Sequence, residues 1–104
     1  MRTMIKFSFP VETGNSLLRS GKLEKVMQQL TSDLKPEAGY FFPSSEGERG
    51  GFVVIDMQEP WQIADTVERL FFGLNAKVEL VPVMNGEDLH KAFSALKGVI
   101  ERYG

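Results

Sequence analysis

Few residues in this sequence are suited to chemistry, and their spacing narrows what that chemistry could be. There is one histidine, His90, and no cysteine. The missing thiols remove disulfides, thiolate metal sites, iron–sulfur ligation and a cysteine nucleophile together. With one imidazole, a protein metal site would rest on carboxylates, and no Asp/Glu spacing here resembles one. His90 lies beside Asp88 and Lys91 in the first turns of a C-terminal helix, next to the apolar stripe. It reads first as a solvated helix residue and second as a general acid or base, because an imidazole titrates near neutrality. None of the serines (8, 16, 20, 32, 44, 45 and 94) sits in a Gly-x-Ser-x-Gly elbow, so a hydrolase triad has no local support. Gly47-Glu48-Arg49-Gly50-Gly51 is glycine-rich but leads into a strand, whereas phosphate loops lead into a helix. No cofactor and no metal are expected.

The groups that remain are Lys6, Asp56 and Glu79, with the rings of Tyr40, Phe42 and Phe52. Each falls in a segment that reads as a strand, so the elements decide whether they meet. Residues 3–9 alternate, with Ile5, Phe7 and Phe9 on one side and Met4, Lys6 and Ser8 on the other, the period of a strand covered on one face. Leu23, Val26, Met27, Leu30 and Leu34 are spaced by threes and fours and predict a helix over 15–34. Gly21 weakens its first half, and the helix either starts nearer Thr13 or breaks at the glycine; Pro36 stops it. Residues 38–43 are short and aromatic, 44–48 form a polar turn, and 51–57 read as a buried strand, together a hairpin. Glu59-Pro60 opens a helix with Ile63, Val67, Leu70, Phe71 and Leu74 as its stripe, ended by Gly73 or Asn75. Residues 76–83 alternate again, and Pro82 marks an edge or an end. Asn85 caps a last helix with Glu87 and Asp88 in its first turn. Its stripe is Leu89, Ala92, Phe93, Leu96, Ile100 and Tyr103.

The order is βαββαβ plus a C-terminal helix: an α+β, ferredoxin-like domain spanning residues 1–104, with a four-stranded antiparallel sheet in the order 4-1-3-2 and helices on one face. The other face is left open. Strand parity puts Lys6, Phe52, Val54, Asp56, Lys77, Glu79 and Val81 on it; the second strand is ambiguous, but Tyr40 and Phe42 fit the same set. That mixture is too apolar for water and too charged for an ordinary core, which suits an interface around a polar cleft. Lys6, on a central strand, is expected between Asp56 and Glu79, either fixing the strand pairing or poised toward a ligand.

Arg49-Gly50-Gly51-Phe52-Val53-Val54-Ile55 resembles the RNA-recognition-motif signature on the corresponding strand. Its first aromatic is missing, its last is Ile55, and the first strand offers no second stacking platform. The net charge of −2 gives no positive field, so nucleic acid and anionic membranes are not favoured partners.

The stretch Gly39–Phe42, Arg49–Val54, Ala76–Val83 and Asn85–Leu89 resembles the dimeric α+β-barrel superfamily. That group includes muconolactone-isomerase-like proteins, antibiotic-biosynthesis-type monooxygenases and an uncharacterised bacterial family with a similar Pro-Val-Met and acidic helix start. The resemblance implies a homodimer through open sheet faces, enclosing a cleft for a small, partly aromatic molecule. It carries over no catalytic residue. The expected function is small-molecule binding in that cleft by Lys6, Tyr40, Phe42, Phe52, Asp56, Glu79 and His90. The alternative is a cofactor-free isomerase or monooxygenase, and RNA binding ranks last. No segment reads as a signal peptide or a membrane span, so the expected compartment is the cytoplasm.

Overall fold

The computed structural model describes residues 1–104. Its elements are β1 (Arg2–Phe9), α1 (Val11–Arg19), α2 (Leu23–Leu34), β2 (Ala38–Pro43), β3 (Arg49–Asp56), α3 (Gln62–Leu74), β4 (Lys77–Pro82) and α4 (Gly86–Tyr103). The strands form one antiparallel sheet in the order β2-β3-β1-β4. This is the expected order read from the opposite edge. Strand ends lie within two residues of those expected, and β2 matches them at both ends.

The helical segment expected over 15–34 starts earlier, at Val11, and takes the alternative of a break at the glycine. It is two helices, α1 and α2, separated at Gly21, whose φ of 71° lies in the left-handed region. Glycine adopts that conformation without the steric cost a Cβ imposes, so the residue that weakened the helical pattern also turns the chain. Pro60 lies in the turn just before α3 rather than in its first helical turn. Asn75, in the left-handed conformation, ends α3.

The core lies between one face of the sheet and α2 and α3. Ile5, Phe7 and Phe9 of β1 and Ile55 of β3 meet Leu30 of α2 and Leu70 and Leu74 of α3, with Met57 closing one end. Ile5 and Leu74 are completely buried. Burying each such side chain contributes roughly 1.5–3 kcal/mol. The core is nonetheless small: 13 of 104 residues are buried, and eight of these are hydrophobic.

Gly51 of β3 shows how tightly the sheet is drawn at the hairpin end. Its φ is 154°, and a Cβ there would run into the Tyr40 carbonyl of β2. The Gly50-Gly51 pair therefore serves backbone approach between strands.

α4 does not join this body. A capping box between Asn85 and Asp88 starts it, each side chain accepting a bond from the other's backbone N–H. Its one side-chain bond to the rest of the chain is Arg2 Nη1 donating to Asp88 Oδ2 at 3.3 Å. None of its residues is buried. The molecule is accordingly 59 Å long and 27 by 20 Å across.

Candidate functional site

Strand register determines what can meet on the uncovered face. Lys6 stands opposite Phe52 on β3 and Glu79 on β4; Met4 stands opposite Val54 and Val81; Ser8 stands opposite Gly50 and Lys77. Tyr40 of β2 faces Phe52, and Phe42 faces Gly50. Side chains alternate across a strand, so these residues share one face, as their parity in the sequence predicts. No side chain on that face is buried.

Three rings form a band across β2 and β3. Tyr40 and Phe52 have ring centroids 5.6 Å apart, and Phe42 and Phe52 lie 6.0 Å apart in an edge-on arrangement. Tyr40 remains 64% exposed and Phe42 43%. Rings at these separations attract one another, and the band is an apolar platform open to solvent.

Beside the band, toward the hairpin, lies a hollow of about 490 Å³ lined by Lys6, Ser8, Phe42, Glu46, Lys77 and Glu79 among others. Lys6 Nζ is 3.8 Å from Glu79 Oε2. Lys77 Nζ is 3.3 Å from Glu46 Oε2 and 3.5 Å from Glu48 Oε1. Ser8 Oγ donates to Glu48 Oε1 at 3.4 Å, tying β1 to the turn that carries the carboxylates. The hydrogen bond to Glu46 and the charges of Glu46 and Glu48 raise the Lys77 pKa above its ordinary value. Lys77 is thus held by two carboxylates, while Lys6 has one at the limit of ion-pair distance. Lys6 keeps donors free for another acceptor.

The expected placement of Lys6 between Asp56 and Glu79 is half corrected. Glu79 is its neighbour. Asp56 shares the face but pairs with Arg2, four residues along the strand, or about 13 Å away at strand rise. Its carboxylate accepts from the Met1 amino group at 3.3 Å, and that bond is the chief cause of its lowered pKa. His90 is also elsewhere. It lies on α4, exposed, with its ring edge-on to Phe93 at 6.4 Å. Of the expected site residues, Lys6, Phe42 and Glu79 line the hollow, Tyr40 and Phe52 lie beside it in the ring band, and Asp56 and His90 do not join them.

Ser8, Glu46 and Lys77 complete the hollow, with Glu48 bonded to Ser8 and Lys77; none of the four is among the expected site residues. The signal for them was present in the strand order. Placing Ser8 beside Lys77 brings the start of β4 to the hairpin end, and the polar turn 44–48 must hang over it.

The hollow offers ammonium and carboxylate groups beside an aromatic surface. That set can hold a small molecule with a ring and an ionised substituent. Among the side chains, no group of three or more His, Asp or Glu is arranged to hold a metal ion. No helix is long and apolar enough to cross a membrane. No protein-family model and no curated protein matches the chain.

Proposed function

We propose that this protein is a homodimeric small-molecule-binding protein of the cytoplasm, whose ligand sits in the hollow on the open sheet face. The observation that carries the reading is the convergence of Lys6, with its free donors, and the Phe42 ring on one hollow, with Phe52 packed edge-on against Phe42 beside it. The ligand class is a small aromatic or unsaturated acid: its ring packs on Phe42 and Phe52, and its carboxylate accepts from Lys6. Element order and antiparallel pairing support a ferredoxin-like arrangement with added helices. They agree with the dimeric α+β barrel that the sequence resembles, in which a second copy covers the open face.

The test is a titration of ¹⁵N-labelled protein with benzoate and 4-hydroxybenzoate, followed by amide shifts. Saturable shifts at Lys6, Ser8, Phe42 and Glu79 are expected, weakened about tenfold or more by Lys6→Ala with the fold unchanged, as for loss of one charge-assisted hydrogen bond. Shifts confined to other surfaces, none at millimolar ligand, or equal affinity in Lys6→Ala would sink the reading.

A further inference from the structure

α4 presents an unusual combination for a helix in a folded chain. Leu89, Phe93, Leu96, Ile100 and Tyr103 recur at alternating intervals of four and three, and Ala92 and Val99 widen the stripe on one side. A stripe of that width marks a helix that packs on a broad apolar surface. Yet Phe93 is 54% exposed, Val99 48% and Ile100 66%. An 18-residue helix with Gly98 in its interior is marginal on its own in water, so this stripe needs a surface to rest on.

The surface area says how much is missing. A folded monomer of 11.7 kDa exposes about 5,900 Å² by the usual scaling with mass. This chain exposes 7430 Å², an excess of about 1,500 Å² over that scaling. Permanent dimers bury roughly 1,000–2,500 Å² on each partner, so the excess is what one such interface would cover. The radius of gyration, 17.2 Å, exceeds the ~13 Å of a compact chain of this length for the same reason.

The chain also carries the counterpart. Its open sheet face, with Met4, Tyr40, Phe52, Val54 and Val81, is a broad apolar surface without a cover. α4 does not serve its own sheet: none of its residues is buried, and no side chain of its stripe packs on the core. Arg2, on the open-face side of β1, holds the first turn of α4 through Asp88, so the helix departs from the rim of that face. We infer that α4 is an exchanged arm: its stripe lies on the open sheet face of a second copy, and the second copy's α4 lies on the first. A reciprocal exchange of this kind closes with two-fold symmetry and satisfies both surfaces at once. The inference rests on the dimeric part of the proposed function and is independent of the ligand.

Sedimentation velocity and amide hydrogen exchange test it together. The wild type should sediment as a dimer at micromolar concentration, with the amides of 92–103 protected, and that protection should fall on dilution. Phe93→Glu/Leu96→Glu on α4, and separately Val54→Asp on the open face, should each weaken association ~100-fold or more and release the α4 amides. Tyr40→Asp, at an exposed position, replaces Val54→Asp if the latter does not fold. A wild type monomeric at 100 μM overturns the dimer and the arm together. A dimer whose α4 amides exchange freely, or one that survives Phe93→Glu/Leu96→Glu, overturns the arm but leaves the dimer. Protected α4 amides in an intact dimer of the open-face variant would mean that α4 docks elsewhere, which also overturns the inference.

Discussion

Lys77 illustrates what the individual side chains of the hollow contribute. Its pKa is raised because Glu46 and Glu48 stabilise the charged ammonium. A raised folded-state value means that this contribution to stability is complete below the unfolded value of about 10.4 and is lost as pH rises through the folded value. The window is therefore alkaline. Glu46→Gln should move the Lys77 midpoint down toward its ordinary value in an NMR titration; an unmoved midpoint would show that Glu46 is not the chief partner. Most of the site was legible at this scale. Parity alone puts Lys6, Phe52 and Glu79 on one face, because a strand has only two; the short second strand is ambiguous in the sequence, and Tyr40 fits that face. Which of those residues touch depends on register, and register is set by the turn and by pairing. Hence Asp56 was assigned to the correct face and the wrong neighbour.

The elements divide between those whose ends are written in local chemistry and those whose fate depends on partners. Asn85 with Asp88, and Asn75 in the left-handed conformation, are local signals, and both helix ends fall where they indicate. Gly21 was ambiguous in the sequence, since an interior glycine can either be tolerated at a cost or mark a break. Two glycine substitutions separate these uses of the residue. Gly51→Ala should destabilise the fold by more than about 1 kcal/mol in urea unfolding, because the left-handed backbone and the Tyr40 carbonyl both exclude a Cβ. Gly98→Ala should do the opposite. It lies opposite the α4 stripe, with nothing within 4 Å of its would-be Cβ, and should stabilise the helix by about 1 kcal/mol without disturbing association. A Gly98→Ala protein that fails to associate would place the docking surface on the wrong side of α4.

Taken whole, the molecule combines a well-formed but small core with a large exposed apolar remainder. Leu74→Ala, at a completely buried position, should cost about 2–5 kcal/mol and be measurable by thermal or urea unfolding. If the chain associates as inferred, its Tm should rise with protein concentration, because a partner that binds only the folded state stabilises it by mass action. A Tm constant over a hundredfold range would contradict that. The layer arrangement was legible in the sequence because each strand has one apolar face. The direction of α4 was not. An amphipathic stripe announces that a helix must be covered, but it does not say whether the cover belongs to the same chain.

The two outer strands of the sheet bear on how this protein could fail. β2 and β4 each end in a proline, Pro43 and Pro82, and β4 also carries Lys77 and Glu79. Charge and proline obstruct the stacking of further strands on an edge. β2 has no charge of its own. Its Gly39-Tyr40-Phe41-Phe42 run, framed by Pro36 and Pro43, is short, aromatic and exposed along its length. An uncharged, aromatic edge strand favours the addition of a further strand, and the flanking prolines are the gatekeepers that contain it. In a partly unfolded population, misassembly would begin at this run.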